Sequence, residues 1–157
     1  MEEQQRFQTF TVLIASISRC IRRIKTEEMA EFQLKSPHVS CLYYLYKADS
    51  LTARELCDIC DEDKANISRS IKYLEAQGYI VCHSRTAKRY QSPLELTEKG
   101  REVGRRVTGK IDAVLERASE GMSEEERTAM YRGLSRVADN LHRICGGYEA
   151  RAEEESI

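Results

Sequence analysis

The chain has 157 residues and a formal net charge of −1, with charged side chains making up 32% of it. That length suits one domain or a pair of tightly joined lobes, and the near-neutral balance excludes a generic polyanion binder, so any nucleic-acid binding has to come from a local patch. No run of about 18 apolar residues is present, and the polar, acidic opening MEEQQRFQTF lacks the basic-then-apolar order of a signal peptide, so the expected location is the cytoplasm.

Residues 5–34 read as one long helix. Phe10, Ile14, Ile17, Ile21 and Ile24 step by four and three along a single apolar seam, which Leu13 and Cys20 widen. Arg19, Arg22, Arg23 and Lys25 fall on other faces. A seam this long covers a core or pairs with another chain. Ser36-Pro37 then reads as a helix start, with Ser36 as cap and Pro37 in the first turn. The helix that follows, to about Ala48, is expected to bury Val39, Leu42, Leu45 and Tyr46. Tyr43 and Tyr44 lie partly off that face, where they pack or line a small-molecule pocket.

The stretch 51–97 is the centre of the chain. Thr52 opens a short helix, and Glu55, three residues on, completes a capping box. Leu56, Ile59 and Cys60 share a face. Asp61-Glu62-Asp63 breaks the pattern and places carboxylates at the start of a second helix, where the helix dipole favours them. In that helix Ile67, Ile71 and Leu74 form a buried stripe, and Gly78 ends it in a left-handed cap. Tyr79-Ile80-Val81 reads as a strand. Its return partner alternates Leu94 and Leu96 with Ser92 and Glu95, and Pro93 within it points to an edge strand.

Charge is segregated here. From Asp49 to Asp63 there are six acids and one base; from Lys64 to Tyr90 there are six bases and one acid. The second helix carries Lys64, Asn66, Ser68, Arg69 and Lys72 off its apolar stripe. Amide, hydroxyl and basic groups on a helix with a buried back suit base edges and phosphates in a major groove. The competing reading is a solvated helix face. The basic turn between two strands that follows at once favours the nucleic-acid reading.

These residues resemble the winged helix-turn-helix of the MarR family of bacterial transcription regulators. The resemblance rests on Leu51-Thr52 with Glu55-Leu56, on Lys64-Ala65-Asn66-Ile67-Ser68-Arg69, and on Leu74-Glu75 with Gly78-Tyr79-Ile80. Leu96-Thr97 with Lys99-Gly100 closes it. It extends in outline to the flanking helices. One departure stands out: wings of this family usually carry an Asp-x-Arg signature at the tip, and the corresponding positions here are Lys88, Arg89 and Tyr90. The wing is still basic.

Beyond the wing, Thr97 caps a long helix with Val103, Val107, Ile111, Val114 and Ala118 on one face. Gly104 and Gly109 weaken it, and close helix approach is one explanation for them. Gly121 ends that helix. Ser123-x-x-Glu126 is a capping box for the last one. There Met130 or Tyr131, Leu134, Val137 or Ala138, Leu141 and Ile144 form a stripe, and Gly146-Gly147 is expected to end it before an acidic tail.

The long seams at the two ends of the chain would be poorly covered in a monomer. A second copy buries them, and the resemblance implies the same: a homodimer whose terminal helices interlock. The expected architecture is mainly α with a small β-wing. Residues 1–35 form an N-terminal dimerisation helix, 36–97 the winged helix-turn-helix and 98–157 the C-terminal dimerisation helices. The dimerisation residues are Phe10, Ile14, Ile17, Ile21, Leu134, Leu141 and Ile144.

The six cysteines are Cys20, Cys41, Cys57, Cys60, Cys82 and Cys145. All but Cys60 sit in or beside an apolar stripe, where a free thiol behaves as a small hydrophobe. The cytosol keeps thiols reduced, so no disulfide framework is expected. Cys57-x-x-Cys60 lies within a helix and lacks the preceding strand of a thioredoxin-like motif. His38-x-x-Cys41, Cys57-x-x-Cys60 and Cys82-His83 supply zinc-type ligands, but nothing in the spacing makes them converge. No metal and no cofactor are expected. No Ser/His/Asp set, phosphate-cradling Gly loop or paired carboxylates in an apolar pocket is present, which argues against an enzyme. The expected function is a sequence-specific DNA-binding regulator: a homodimeric repressor on a near-palindromic operator, relieved by a small-molecule inducer. The alternatives are a winged-helix protein-interaction module and a thiol-based redox sensor.

Overall fold

A computed structural model describes residues 3–83 and 91–154, with side chains described for 5–83 and 91–147. The wing-tip residues Lys88, Arg89 and Tyr90 lie outside the described residues. The order is α1 (Glu3–Phe7), a π-helical stretch (Gln8–Leu13), α2 (Ile14–Glu28), a 3-10 turn (Ala30–Phe32) and α3 (Ser36–Ala48). Then come β1 (Ser50–Thr52), α4 (Ala53–Cys60), α5 (Lys64–Ala76), β2 (Ile80–Cys82), β3 (Pro93–Leu96), α6 (Glu98–Ala118) and α7 (Glu124–Glu154). The chain divides into two units, Met1–Val114 and Leu115–Ile157.

In the first unit the core gathers Val39, Leu42 and Leu45 of α3, Leu56 of α4, Ile67 and Leu74 of α5, Leu94 of β3 and Val107 of α6. Met29 and Leu34 complete it from the segment between α2 and α3. Their burial explains why the expected single helix over 5–34 does not form. Met29 leaves helical geometry (φ −107°, ψ 9°) and Gln33 turns left-handed (φ 56°), which brings both apolar side chains inward. The Tyr73 hydroxyl donates to the Gln33 carbonyl at 2.8 Å and holds that turn to α5. Nearer the N-terminus the Thr11 hydroxyl, within the π-helical stretch, donates to the Phe7 carbonyl at 2.7 Å, a back-bond of the kind that bends helices.

The start of α3 also differs from expectation. Lys35, not Ser36, takes the extended cap position, and its backbone N–H donates to His38 Nδ1 at 3.1 Å. Ser36 is already helical, and its carbonyl accepts from the Ser40 hydroxyl at 3.3 Å. Cys41 joins the buried face of α3, while Tyr46 is half-buried.

The sheet is three-stranded and antiparallel in the order β1-β3-β2. Leu51 pairs with Leu94, and Ile80 pairs with Leu96. β3 is therefore central, and the edge position expected from Pro93 is corrected. Pro93 is the first residue of the strand, where a missing N–H is tolerated, and its carbonyl accepts from the His83 N–H at 3.1 Å. β1 was not expected from sequence, and the first wing strand begins at Ile80 rather than Tyr79.

α6 is pinned to the sheet at its N-terminus. The Thr97 hydroxyl accepts from the Gly100 N–H at 3.0 Å and donates to the Gly78 carbonyl at 2.7 Å. Gly100 packs so closely on Tyr79 that a Cβ would stand 1.7 Å from the Tyr79 carbonyl oxygen. Gly104 faces the Tyr46 ring at 3.1 Å on the same measure, which is the close approach considered for it, while Gly109 has open space. Further along, Arg106 lies over the Phe32 ring at 4.6 Å and pairs with Glu31 at 2.7 Å.

In the second unit the Ser123–Glu126 capping box forms. The Ser123 N–H donates to Glu126 Oε2 at 2.8 Å and the Glu126 N–H to Ser123 Oγ at 3.2 Å. α7 does not end at Gly146-Gly147 as expected but runs on to Glu154. Glycine lowers helix propensity by about 1 kcal/mol, which does not break a helix unless the backbone turns left-handed. Gly121, with φ of 85°, does turn, and it lies in the link between α6 and α7.

Candidate nucleic-acid interface

Helix α5 is placed by caps at its start and by apolar contacts along its back. Asp61 ends α4 in a left-handed conformation (φ 51°, ψ 47°), and the Glu62 N–H returns to the Cys57 carbonyl at 3.2 Å. Asp63 is the N-cap, and its Oδ1 accepts the Asn66 N–H at 2.7 Å. Ile67, Ile71 and Leu74 are buried as the spacing required, and Ser70 joins them. The Thr52–Glu55 capping box sets α4 in the same way: Thr52 Oγ1 accepts from the Glu55 N–H at 3.2 Å, and Glu55 Oε2 accepts from the Thr52 N–H at 2.7 Å. The Thr52 N–H, and then the Thr52 hydroxyl donating to the same Oε2 at 2.8 Å, hold the Glu55 carboxyl below its ordinary pKa. Along α4, Leu56 is buried, but Ile59 is exposed rather than sharing its face.

Lys64, Ser68, Arg69 and Lys72 are exposed on the outer side of α5, and Asn66 is half-buried. They do not form one uniform face. Lys64, Ser68 and Lys72 line a cleft of about 200 Å³ with Ala53, Ile71, Cys82 and Leu94. Asn66, Arg69 and Tyr73 line a wider hollow of about 550 Å³ on the opposite flank, with Gln33, Lys35, Pro37 and His38. Ala65 is exposed and, at 100° per residue, falls between the two flanks. Sequence reasoning passed over Ala65 because it has no polar group. It passed over Lys35 because only the packing of α3 on α5 puts that lysine on the same hollow as Arg69.

His38 forms the wall of the wider hollow. Its ring stacks on Tyr73 with centroids 4.2 Å apart and planes 6° from parallel. Burial, and then the charge of Lys35, hold its pKa below 6.5.

The cysteines split by environment. Cys20 and Cys145 are exposed, Cys41 is buried, and Cys57, Cys60 and Cys82 are intermediate. The Cys41 and Cys60 thiols are neighbours that shift each other's titration. The interaction with Cys60, and then burial, pushes the Cys41 thiol up; the interaction with Cys41, with help from Lys25, draws Cys60 down. Among the described residues no three His, Cys, Asp or Glu side chains gather as a metal site, although Cys41 and Cys60, from two of the ligand pairs noted in the sequence, are neighbours.

The candidate dimerisation residues are apolar side chains left open to solvent. In the first unit Phe10, Ile14, Ile17 and Ile21 are 46%, 38%, 49% and 45% exposed; in the second, Leu134, Leu141 and Ile144 are 47%, 41% and 52% exposed. No helix among the described residues is long and apolar enough to cross a membrane.

Comparison with known proteins bears on the same elements. The sequence profile of the MarR family matches residues 32–89, from the 3-10 turn before α3 into the wing. Over those residues, a little over a third of the chain, it is similar to the MarR family of transcriptional regulators. Members of this family are regulators, not enzymes. The chain is 27% identical to the HTH-type transcriptional regulator TtmR of Methylorubrum extorquens over 82% of its own length and 65% of that protein, so it spans a little under two thirds of that relative. It is 26% identical to the uncharacterised HTH-type regulator YybA of Bacillus subtilis, covering 83% of this chain and 87% of that one. Among solved structures, a MarR family regulator from Listeria monocytogenes complexed with 26mer DNA superposes with a TM-score of 0.74 at 25% identity, over 82% of this chain and 85% of that one. The S. aureus MepR–DNA complex shares the fold, with a TM-score of 0.74 at 21% identity over 85% and 98% of the two chains.

Proposed function

We propose that this chain is a MarR-family regulator that binds duplex DNA sequence-specifically as a homodimer and represses from a near-palindromic operator until a small-molecule inducer releases it. The observation that carries DNA binding is α5: Lys64, Ser68, Arg69 and Lys72 face outward from a helix whose back is buried in the core. The DNA-bound Listeria relative supports it. In this reading Lys64 and Lys72 grip phosphate, and Ser68 contacts either base or backbone. Asn66 pairs with adenine, Arg69 forks onto guanine or phosphate, and Ala65 is placed to meet a thymine methyl. Lys35 adds a phosphate contact beside Arg69. Lys88 and Arg89 of the wing reach phosphates or the minor groove, with Tyr90 against the sugar-phosphate edge.

The domain plan follows the same reading: 36–97 reads DNA, while 1–35 and 98–157 pair with a second copy through the apolar residues named above. Two-fold symmetry then sets the recognition helices about 34–36 Å apart on successive turns of the duplex. Repression and release by an inducer extend the reading from the family resemblance, and a reporter gene downstream of the selected site tests both.

Selection of bound duplexes from a random pool is the primary experiment. A near-palindromic consensus is expected; recovery of no preferred duplex defeats the reading. Alanine at Asn66 or Arg69 should cost about 1–3 kcal/mol on the selected duplex and much less on random DNA. Removing both wing charges, Lys88 and Arg89, should weaken all sequences alike and lower the salt slope by about one to two units.

The half-buried Cys60, drawn below the ordinary thiol pKa by its neighbours Cys41 and Lys25, favours one second reading, a peroxide-responsive regulator. Loss of DNA binding on mild oxidation, restored by reductant and abolished in C60S, would favour it over core thiols.

A further inference from the structure

The first turn of α5 contains a side-chain contact that bears on how a base would be read. The left-handed Asp61 and the bond from the Glu62 N–H to the Cys57 carbonyl at 3.2 Å fix the backbone of Glu62 just before the Asp63 cap. From there Glu62 Oε2 accepts a hydrogen bond from Asn66 Nδ2. Asp63 meanwhile holds the Asn66 backbone N–H at 2.7 Å. Two neighbouring acids thus engage the same residue, one by its main chain and one by its amide. Both Glu62 and Asn66 are half-buried.

The chemistry of this pair removes an ambiguity. An ionised carboxylate accepts hydrogen bonds and cannot donate them. The Asn66 amide must therefore turn Nδ2 toward Glu62 and Oδ1 away from it, and the flipped amide is disfavoured. An Asn pairs with adenine by accepting from N6 and donating to N7. The amide nitrogen has two hydrogens. Glu62 takes one, so the other remains, with Oδ1, for a base.

We propose that Glu62 is a positioning residue that sets the orientation of the Asn66 amide and so determines specificity at the base pair Asn66 reads. The proposal rests on the reading of α5 as the DNA-contacting helix. Glu62 has a second effect of opposite sign. Its charge suits the N-terminal end of the helix but repels the phosphates of any duplex. It lowers affinity for all sequences while raising discrimination between them.

The two effects separate in variants. Glu62→Gln keeps an acceptor for Asn66 Nδ2 and drops the charge; Glu62→Ala drops both. Binding of the full chain is measured by anisotropy at matched salt to three duplexes: the one selected from the random pool, the same duplex altered at the base pair whose preference N66A loses, and an unrelated one. E62Q is expected to keep wild-type discrimination and to bind all three more tightly. E62A is expected to lose about tenfold in discrimination at that base pair, within the range of one bidentate contact, without losing affinity for the unrelated duplex. Adding N66A to E62A should change nothing further.

Wild-type discrimination in E62A overturns the proposal, as does an equal loss on all three duplexes. So does E62Q behaving like E62A. An N66A variant with no changed preference at any position overturns the proposal but leaves the reading of α5 standing. If the wild-type chain selects no preferred duplex, the reading of α5 fails and the proposal with it. Asp63 rather than Glu62 caps the helix, so E62A should stay folded, which a thermal melt checks. If it does not fold, E62Q decides alone: retained discrimination with tighter binding upholds the proposal, and lost discrimination overturns it.

Discussion

Gly100 and Gly109 occupy the same helix, and alanine at the two positions should act in opposite directions. At Gly100 a Cβ would meet the Tyr79 carbonyl oxygen at 1.7 Å, and backbone cannot swing aside as a side chain does. G100A should therefore destabilise by about 1–3 kcal/mol or more. Gly109 is exposed with nothing within 4 Å of the added carbon, so G109A should stabilise by about 0.4–1 kcal/mol through the unfolded chain. Urea melts of both variants decide the matter; a G100A curve that overlays the wild type contradicts the packing. His38 gives a prediction in pH. Burial and Lys35 hold its folded pKa below 6.5, so the neutral ring favours folding. Its contribution is complete above pH 6.5 and is lost as pH falls through the folded value. Protonation also removes the Nδ1 lone pair that accepts from the Lys35 N–H. Phenylalanine at this position keeps a ring to stack on Tyr73 but cannot titrate. H38F should lose less melting temperature than the wild type on acidification below pH 6.5; equal losses would show that His38 does not carry the effect.

At the scale of elements, what was legible in the sequence was local. Thr52 with Glu55 and Ser123 with Glu126 are capping boxes four residues long, and each forms as the letters indicate. The stripe Ile67, Ile71, Leu74 and the left-handed Gly78 follow from periodicity and from glycine's freedom at positive φ. What was not legible depends on partners distant in sequence. β1 is three residues long and exists because Leu51 pairs with Leu94. Helix α2 stops at Glu28 because the core takes Met29 and Leu34, which no repeat of three and four encodes. The site divides the same way. The outer residues of α5 were readable from the helix alone, whereas Lys35 shares a hollow with Arg69 only through tertiary packing. The local caps also predict a magnitude. T52A removes an acceptor for the Glu55 N–H while leaving β1 residues otherwise intact, and should cost about 1 kcal/mol. Chemical denaturation measures it, and T52S, which keeps the hydroxyl, should recover most of the loss.

At the scale of the whole molecule the open question is what covers the apolar residues at either end. Ile14, Ile17 and Ile21 recur at helical spacing on α2, with Phe10 ahead of them, and all are more than a third exposed. Leu134, Leu141 and Ile144 do the same on α7. Scattered exposed apolar side chains are ordinary, but aligned rows on two helices mark an interaction surface. Burying apolar area contributes roughly 25 cal/mol per Å², and a stable interface between chains removes upwards of about 1,000 Å² from water. A second copy offers the same rows and so fits without a further partner. Sedimentation at micromolar concentration should then give twice the 18.1 kDa mass of one chain, and the melting temperature should rise with protein concentration, as mass action requires. Glu at Ile17 or at Leu141 would set a charge among the rows that the proposed dimer buries. Each variant should shift the chain toward monomer and weaken binding to a two-half-site duplex more than to a single half-site. A folded wild-type monomer at these concentrations would sink the dimer and, with it, the expectation of a near-palindromic site.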